Sequence, residues 1–270
     1  MMTNTKEKNI ILIGVALITI VILGTFSRSL FSGEVRQETD HVNVPPEHYR
    51  EITVTELKEK RSKEKKILLI DLRSPDAYGQ EHVVDSVNIP AAQLAQNGVT
   101  NSDGTAIILI GDDTIRATDF PIIIGFFTQE QREKTFVLTG GFSFWKANNG
   151  ETISSGDPTS FVDQAKIIGI TPEALRDAIA QTPHDFFLLD VRAGGSFAQG
   201  HIPGAINITS AQLESQRTRI PVGKKLIVYG ATELDGFRAG VMLHDLHFYA
   251  TSVLYGGFAS WQEKGFLIEK

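Results

Sequence analysis

The polar residues that could do chemistry in this chain come in matched pairs. Asp71 and Arg73 recur as Asp190 and Arg192, His82 as His201, and Asn88 as Asn207, each pair 119 positions apart. An Asp-x-Arg at the end of an apolar run suits a buried ion pair, and a lone histidine in the following loop suits a fold-maintaining hydrogen bond. Neither supplies a nucleophile. His244 and His247 stand at i, i+3, a spacing that would suit a metal, but the neighbouring Asp245 falls on another helical face and no third ligand is at hand. Cysteine is absent from all 270 residues. That removes disulfides, thiolate nucleophiles, iron–sulfur clusters and cysteine-based zinc sites together. Thr114 and Thr232 are hydroxyls in loops, without a neighbouring histidine in sequence to act as their base.

These pairs belong to two copies of one domain. The segment ILLIDLRSPDAYGQEHVVDSVNIPAAQL at 67–94 repeats as FLLDVRAGGSFAQGHIPGAINITSAQL at 187–213, and TGGFSFWKANNG at 139–150 as YGGFASWQEKGF at 255–266. Each copy runs in the same order. A polar helix opens on a cap (Thr53 or Thr55; Thr171-Pro172-Glu173), then an apolar strand ends in Asp-x-Arg, and a histidine loop leads to a short strand. A wholly apolar strand follows at 107–110 or 226–229, then a loop, a helix, a strand and the Gly-Gly turn. Apolar strands alternating with helices predict a buried parallel sheet covered on both faces, so each copy is an α/β domain. The predicted bounds are 51–150 and 167–270, joined by a linker at 151–166 that contains Ser154-Ser155-Gly156-Asp157-Pro158. Trp145 and Trp261 are expected as core plugs of the closing turns.

Composition agrees with folded domains: 41% hydrophobic and 21% charged residues are neither disordered nor fibrous usage. The formal net charge of −6 offers nucleic acid no counterion-releasing surface, so no nucleic-acid partner is expected. Residues 10–26, IILIGVALITIVILGTF, carry no charge and follow Lys6 and Lys8. Spanning helices take about 17 to 25 apolar residues, so this stretch reads as one N-terminal transmembrane helix in the lipid bilayer, within an anchor at 1–28. The alternative is a cleaved signal peptide, but Leu23-Gly24-Thr25-Phe26-Ser27-Arg28 lacks the small-residue pattern of a cleavage site. The basic residues before the span predict a cytoplasmic N-terminus and a single-pass protein of the cytoplasmic membrane, its body extracytoplasmic or periplasmic. Residues 29–50, polar with Pro45-Pro46, read as a semi-extended stalk.

DLRSPDAYGQEH and LLDVRAGGSFAQGHIPGAINI resemble the first signature of rhodanese-like domains. GGFSFWKANNG and GGFASWQEKGF resemble its closing Gly-Gly-aromatic-x-x-Trp-x-x-x-Gly signature. The resemblance covers residues 52–150 and 167–268 and implies a tandem rhodanese-like protein. It also implies where chemistry belongs: a cysteine at the end of the central strand carries sulfur as a persulfide, cradled by backbone N–H groups ahead of a helix. The matching positions are Gly111, in Gly111-Asp112-Asp113-Thr114-Ile115-Arg116, and Gly230, in Gly230-Ala231-Thr232-Glu233-Leu234-Asp235. Both are 119 apart and neither can be loaded with sulfur. Asp112, Asp113, Glu233 and Asp235 also place carboxylates where an anionic substrate would dock, which opposes it. No catalytic residue, metal or cofactor is therefore expected.

One apolar stretch stands out. Phe120, Ile122, Ile123, Ile124, Phe126 and Phe127 fall where the helix after the first loop should lie and leave it no polar face, whereas residues 239–246 in the second copy are amphipathic. A helix apolar all round is covered on all sides, here by the second domain, an inserted loop or a partner protein. The reading that follows is a catalytically inactive, membrane-anchored scaffold or accessory subunit of a larger membrane complex. Its alternatives are a sensor or binding module for a small sulfur compound or oxyanion, and an enzyme of unfamiliar mechanism.

Overall fold

The structure, a computed structural model, describes residues 49–64, 66–99 and 104–270. The first domain comprises β1 (Glu51–Ile52), α1 (Val54–Lys63), β2 (Ile67–Asp71), α2 (Pro75–Gln80), β3 (Glu81–Val83), β4 (Ser86–Asn88), α3 (Ala91–Asn97), β5 (Ala106–Ile110), α4 (Asp119–Gly125), α5 (Gln129–Glu133), β6 (Thr135–Leu138) and α6 (Gly141–Ala147). A connecting segment carries β7 (Thr152–Ser154) and α7 (Phe161–Ala165). The second domain comprises β8 (Ile168–Ile170), α8 (Pro172–Gln181), β9 (Phe186–Asp190), α9 (Gly194–Gln199), β10 (Ile206–Asn207), β11 (Lys225–Tyr229), α10 (Glu233–Asp245), β12 (Thr251–Leu254) and α11 (Gly257–Glu263).

Each domain holds a five-stranded parallel sheet. The orders β1-β6-β5-β2-β4 and β8-β12-β11-β9-β10 are the same order in two copies, as the repeat predicts. Side chains alternate across the central strand, so Ile108 and Ile110 enter one apolar layer with Leu57 and Trp145, while Ile107 and Leu109 enter the other with Leu94 and Phe120. All five residues of β5 are buried, which is why its sequence is a continuous apolar run rather than an alternating one.

The stretch predicted as a linker is more structured than a bare tether. β7 pairs antiparallel with β3, setting Ile153 opposite His82, and Ile153 is buried with Val84 and with Leu246, which caps the C-terminus of α10. Polar contacts reinforce this junction. Asp245 accepts from the Ser154 N–H at 3.0 Å and from Lys166 at 2.9 Å. Glu214 faces His82 at 3.2 Å and accepts from the Asp85 N–H at 2.6 Å, and Arg217 meets Asp85 at 2.7 Å. The second domain reduces this pairing to a single antiparallel bridge, between His201 and Glu269 near the C-terminus.

Among the described residues no helix is long and apolar enough to cross a membrane. The predicted span at 10–26 and the stalk up to 48 lie outside the described residues.

Candidate functional site

Gly111 follows β5 directly and Gly230 follows β11 directly, so both lie at the C-terminal edge of a parallel sheet, where α/β folds bind ligands. Backbone geometry explains the Gly-Gly turn that closes each domain on them. The Gly111 carbonyl accepts from the Phe142 N–H at 2.8 Å, and the Gly230 carbonyl from the Phe258 N–H at 2.9 Å. For this approach Gly140, Gly141, Gly256 and Gly257 all adopt positive φ, between 57° and 73°. A Cβ on Gly141 would stand 2.3 Å from the Gly111 carbonyl oxygen, and one on Gly257 2.6 Å from Thr232. Only glycine fits there.

Beyond the two glycines the loops diverge. In the second domain α10 begins at Glu233, after three residues, opened by a capping box: the Thr232 hydroxyl accepts from the Asp235 N–H while the Asp235 carboxylate accepts from the Thr232 N–H. This early start brings Asp235 back over Gly230. A side chain at 230 would place its Cβ 2.3 Å from the Asp235 Cβ. In the first domain α4 begins only at Asp119, after an eight-residue loop. Asp112 accepts from both the N–H and the hydroxyl of Thr114, turning the loop, and Arg116 pairs with Asp119. A Cβ on Gly111 would meet the Phe120 ring edge at 3.2 Å and Ile115 at 3.4 Å, a tight fit but one that side chains can relieve. A cavity of about 250 Å³ remains here, lined by Tyr49, Glu51, Asp112, Asp113, Phe120 and Thr139 among others.

The duplicated polar residues are engaged in holding the sheet edge. Asp71 is fully buried and binds the Arg73 backbone N–H at 3.0 Å and its guanidinium at 2.6 Å, and Asp190 does the same for Arg192 at 2.9 and 2.6 Å. Each guanidinium lies over the aromatic ring of the closing turn, Arg73 over Phe142 at 3.6 Å and Arg192 over Phe258 at 3.7 Å. Asn88 and Asn207 donate to the carbonyls of these Asp and Arg residues. His82 and His201 each hydrogen-bond the carbonyl four residues back and stack on its ring, Tyr78 or Phe197. Trp145 and Trp261 are buried and donate to the carbonyls of Glu151 and Leu267. Burial pushes the Tyr229 hydroxyl far above its ordinary range, and the nearby Asp190 carboxylate adds to the shift, so it remains a neutral partner for the Ile202 N–H. His244 and His247 lie in no cluster of three metal-ligating side chains among the described residues. His244 stacks edge-on against Tyr249, and His247 bonds the Tyr249 hydroxyl.

The apolar stretch is divided by the fold. Phe120, Ile123, Ile124 and Phe127, at i, i+3, i+4 and i+7, are buried in the first domain's own core with Leu94, Leu109 and Val137. Four of the six residues expected as a partner surface thus pack within the first domain itself. Ile122 and Phe126 lie on the opposite face, 55% and 46% exposed. The helix is amphipathic in position, and the sequence hid this by putting apolar side chains on its outer face as well.

The family of Rhodanese-like domains matches residues 53–148 and 171–264. The chain belongs to that family. Among relatives, a sulfurtransferase of Allochromatium vinosum is 26% identical over 96 residues, which is 36% of this chain and 89% of that protein. An uncharacterized protein of Buchnera aphidicola is 27% identical over 89 residues, 32% of this chain and 58% of that one. The solved structure of a thiosulfate sulfurtransferase from Pseudomonas aeruginosa is similar over 82% of this chain and 43% of its own, at 18% identity and a TM-score of 0.41. The chain thus spans less than two thirds of two of these three proteins. Measured against the family, the two rhodanese-like domains here lack the cysteine that carries sulfur, since there is none in the sequence.

Proposed function

We propose that this tandem rhodanese-like chain is a non-catalytic membrane protein, held by residues 10–26 in the cytoplasmic membrane with its N-terminus cytoplasmic. In this reading both domains lie outside the cytoplasm and act as a scaffold or accessory subunit of a larger membrane complex. The observation that carries the non-catalytic part is the state of the two sheet edges. Gly111 and Gly230 stand where the nucleophile belongs, and Asp235 fills the space beside Gly230. Loss of the thiol alone would leave a cradle. Here Asp235 takes the space that a nucleophile at 230 would need, while the recurring Asp–Arg–Asn network still maintains the sheet edge around it. A fold kept in order without its chemistry is what an interaction module needs.

Binding of a small sulfur compound or oxyanion is the weaker reading, because Glu51, Asp112 and Asp113 line the first cavity and repel an anion. The scaffold reading is tested by fractionation followed by purification in mild detergent. The protein is expected to sediment with membranes, its body to be digested when protease is added to spheroplasts, and stoichiometric partners to persist through two affinity steps. A soluble mature form starting after Ser27, or a lone protein in detergent, contradicts it.

A further inference from the structure

The first cavity has changed the sign of its charge relative to the role the family gives this edge of the sheet. A thiolate or oxyanion site needs N–H groups and cations. Among the described residues lining this cavity there is no lysine, arginine or histidine, whereas Glu51, Asp112 and Asp113 all border it. The topology brings them together: β1 pairs with β6 in a register that sets Glu51 beside Val137, and the β5 loop carries Asp112 and Asp113 to the same edge. Thr139 donates to Glu51 at 3.2 Å, fixing that carboxylate at the rim. The nearby arginines are engaged elsewhere, Arg50 over Phe136 with its guanidinium on the Glu133 carbonyl, and Arg116 on Asp119.

Aromatic surface completes the site. The rings of Tyr49 and Phe120 meet at 5.4 Å with a 50° tilt on the wall of the cavity. Burial and then the Glu51 carboxylate raise the Tyr49 hydroxyl above its ordinary value, so that ring stays neutral beside a negative charge. Carboxylates combined with ring faces are the chemistry that recognises organic cations, whose charge the ring quadrupole and the carboxylates both attract. A volume of about 250 Å³ gives room for such a group rather than for a bare metal ion alone. A metal site would also need convergent ligands, and no group of three metal-ligating side chains exists among the described residues.

We propose that the vacated first site binds an alkylammonium or guanidinium group in the cavity formed by Tyr49, Glu51, Asp113 and Phe120. This holds independently of membrane attachment and of the scaffold role. The group could be supplied by a free amine or by a lysine or arginine side chain of another protein, and the chemistry is the same.

The test is calorimetric titration of the full-length protein in detergent with choline chloride, agmatine and Nα-acetyl-arginine amide, and with sodium thiosulfate at matched ionic strength. At least one cation should bind and thiosulfate should not. Choline or agmatine binding points to a free amine, and preference for the arginine amide points to a protein side chain. Glu51→Gln with Asp113→Asn should weaken binding roughly tenfold, as expected for two partly exposed charge contacts. Asp112 is left intact because it turns the loop. Tyr49→Leu should weaken it further while the melting curve of the double variant stays that of the wild type. Absence of binding by all three cations, thiosulfate binding in their place, or affinity unchanged in the double variant would each overturn the assignment.

Discussion

The two domains share strand order, ion pairs and closing turn, and differ in how far the chain travels from the central strand to the next helix. Eight residues separate β5 from α4, and three separate β11 from α10. With three, the capping box of α10 delivers Asp235 onto Gly230 and takes the space a side chain there would need, so the cavity at this edge lies to the side, against Ala231, Arg192 and Phe258. With eight, Asp112 turns the loop outward and a cavity survives beside Gly111. Helix-start chemistry at Thr232 and Asp235 decides whether a side chain has room at the end of the central strand.

Where the halves are alike, equal damage is expected. Asp71→Ala and Asp190→Ala each leave a buried guanidinium without its partner, and each should cost about 3–5 kcal/mol in urea unfolding. A large inequality would show that the duplicated network is used differently in the two copies. The closing turns should come next: Gly141→Ala and Gly257→Ala combine positive φ with a Cβ driven into the opposite loop, and each should cost about 3 kcal/mol. Where the halves differ, the effects should separate. Gly230→Cys must displace the start of α10, whereas Gly111→Cys asks only Phe120 and Ile115 to move. The former should be less stable by about 2 kcal/mol, and its thiol slower to react with iodoacetamide. Equal stability and reactivity of the two variants would dissolve the contrast between the loops.

The junction gives a pH-dependent comparison. Burial pushes the Lys166 ammonium down, but hydrogen bonds and charge attraction from Asp163 and Asp245 outweigh it, so its pKa in the folded protein is raised above 10.5. A raised folded value means stabilisation that is complete below the unfolded pKa and fades as pH rises through the folded one. Thermal stability should therefore fall above about pH 10.5 more steeply in the wild type than in Lys166→Met. The smallest effects belong to the outer face of α4. Ile122→Ser and Phe126→Ser should each change stability by less than about 0.5 kcal/mol, since neither residue is in the core.

Much of this was legible in the sequence because it is written twice. The 119-residue offset located the Asp–Arg pairs, the histidines and both vacant glycines, and the apolar runs gave the parallel strands. The collapse over Gly230 was not legible, since Thr232 and Asp235 read equally well as loop polar groups until the helix is seen to start between them. The α4 face was obscured because Ile122 and Phe126 carry the same apolar character as the residues they oppose. The β3–β7 pairing depends on Ile153 finding Val84 and Leu246, contacts distant in sequence that no local pattern announces.

A chain without cysteine has no thiol to carry sulfur. Full-length protein incubated with thiosulfate and cyanide should release no thiocyanate above background, and its intact mass should show no added sulfur. Turnover, or a sulfur adduct on this cysteine-free chain, would contradict it.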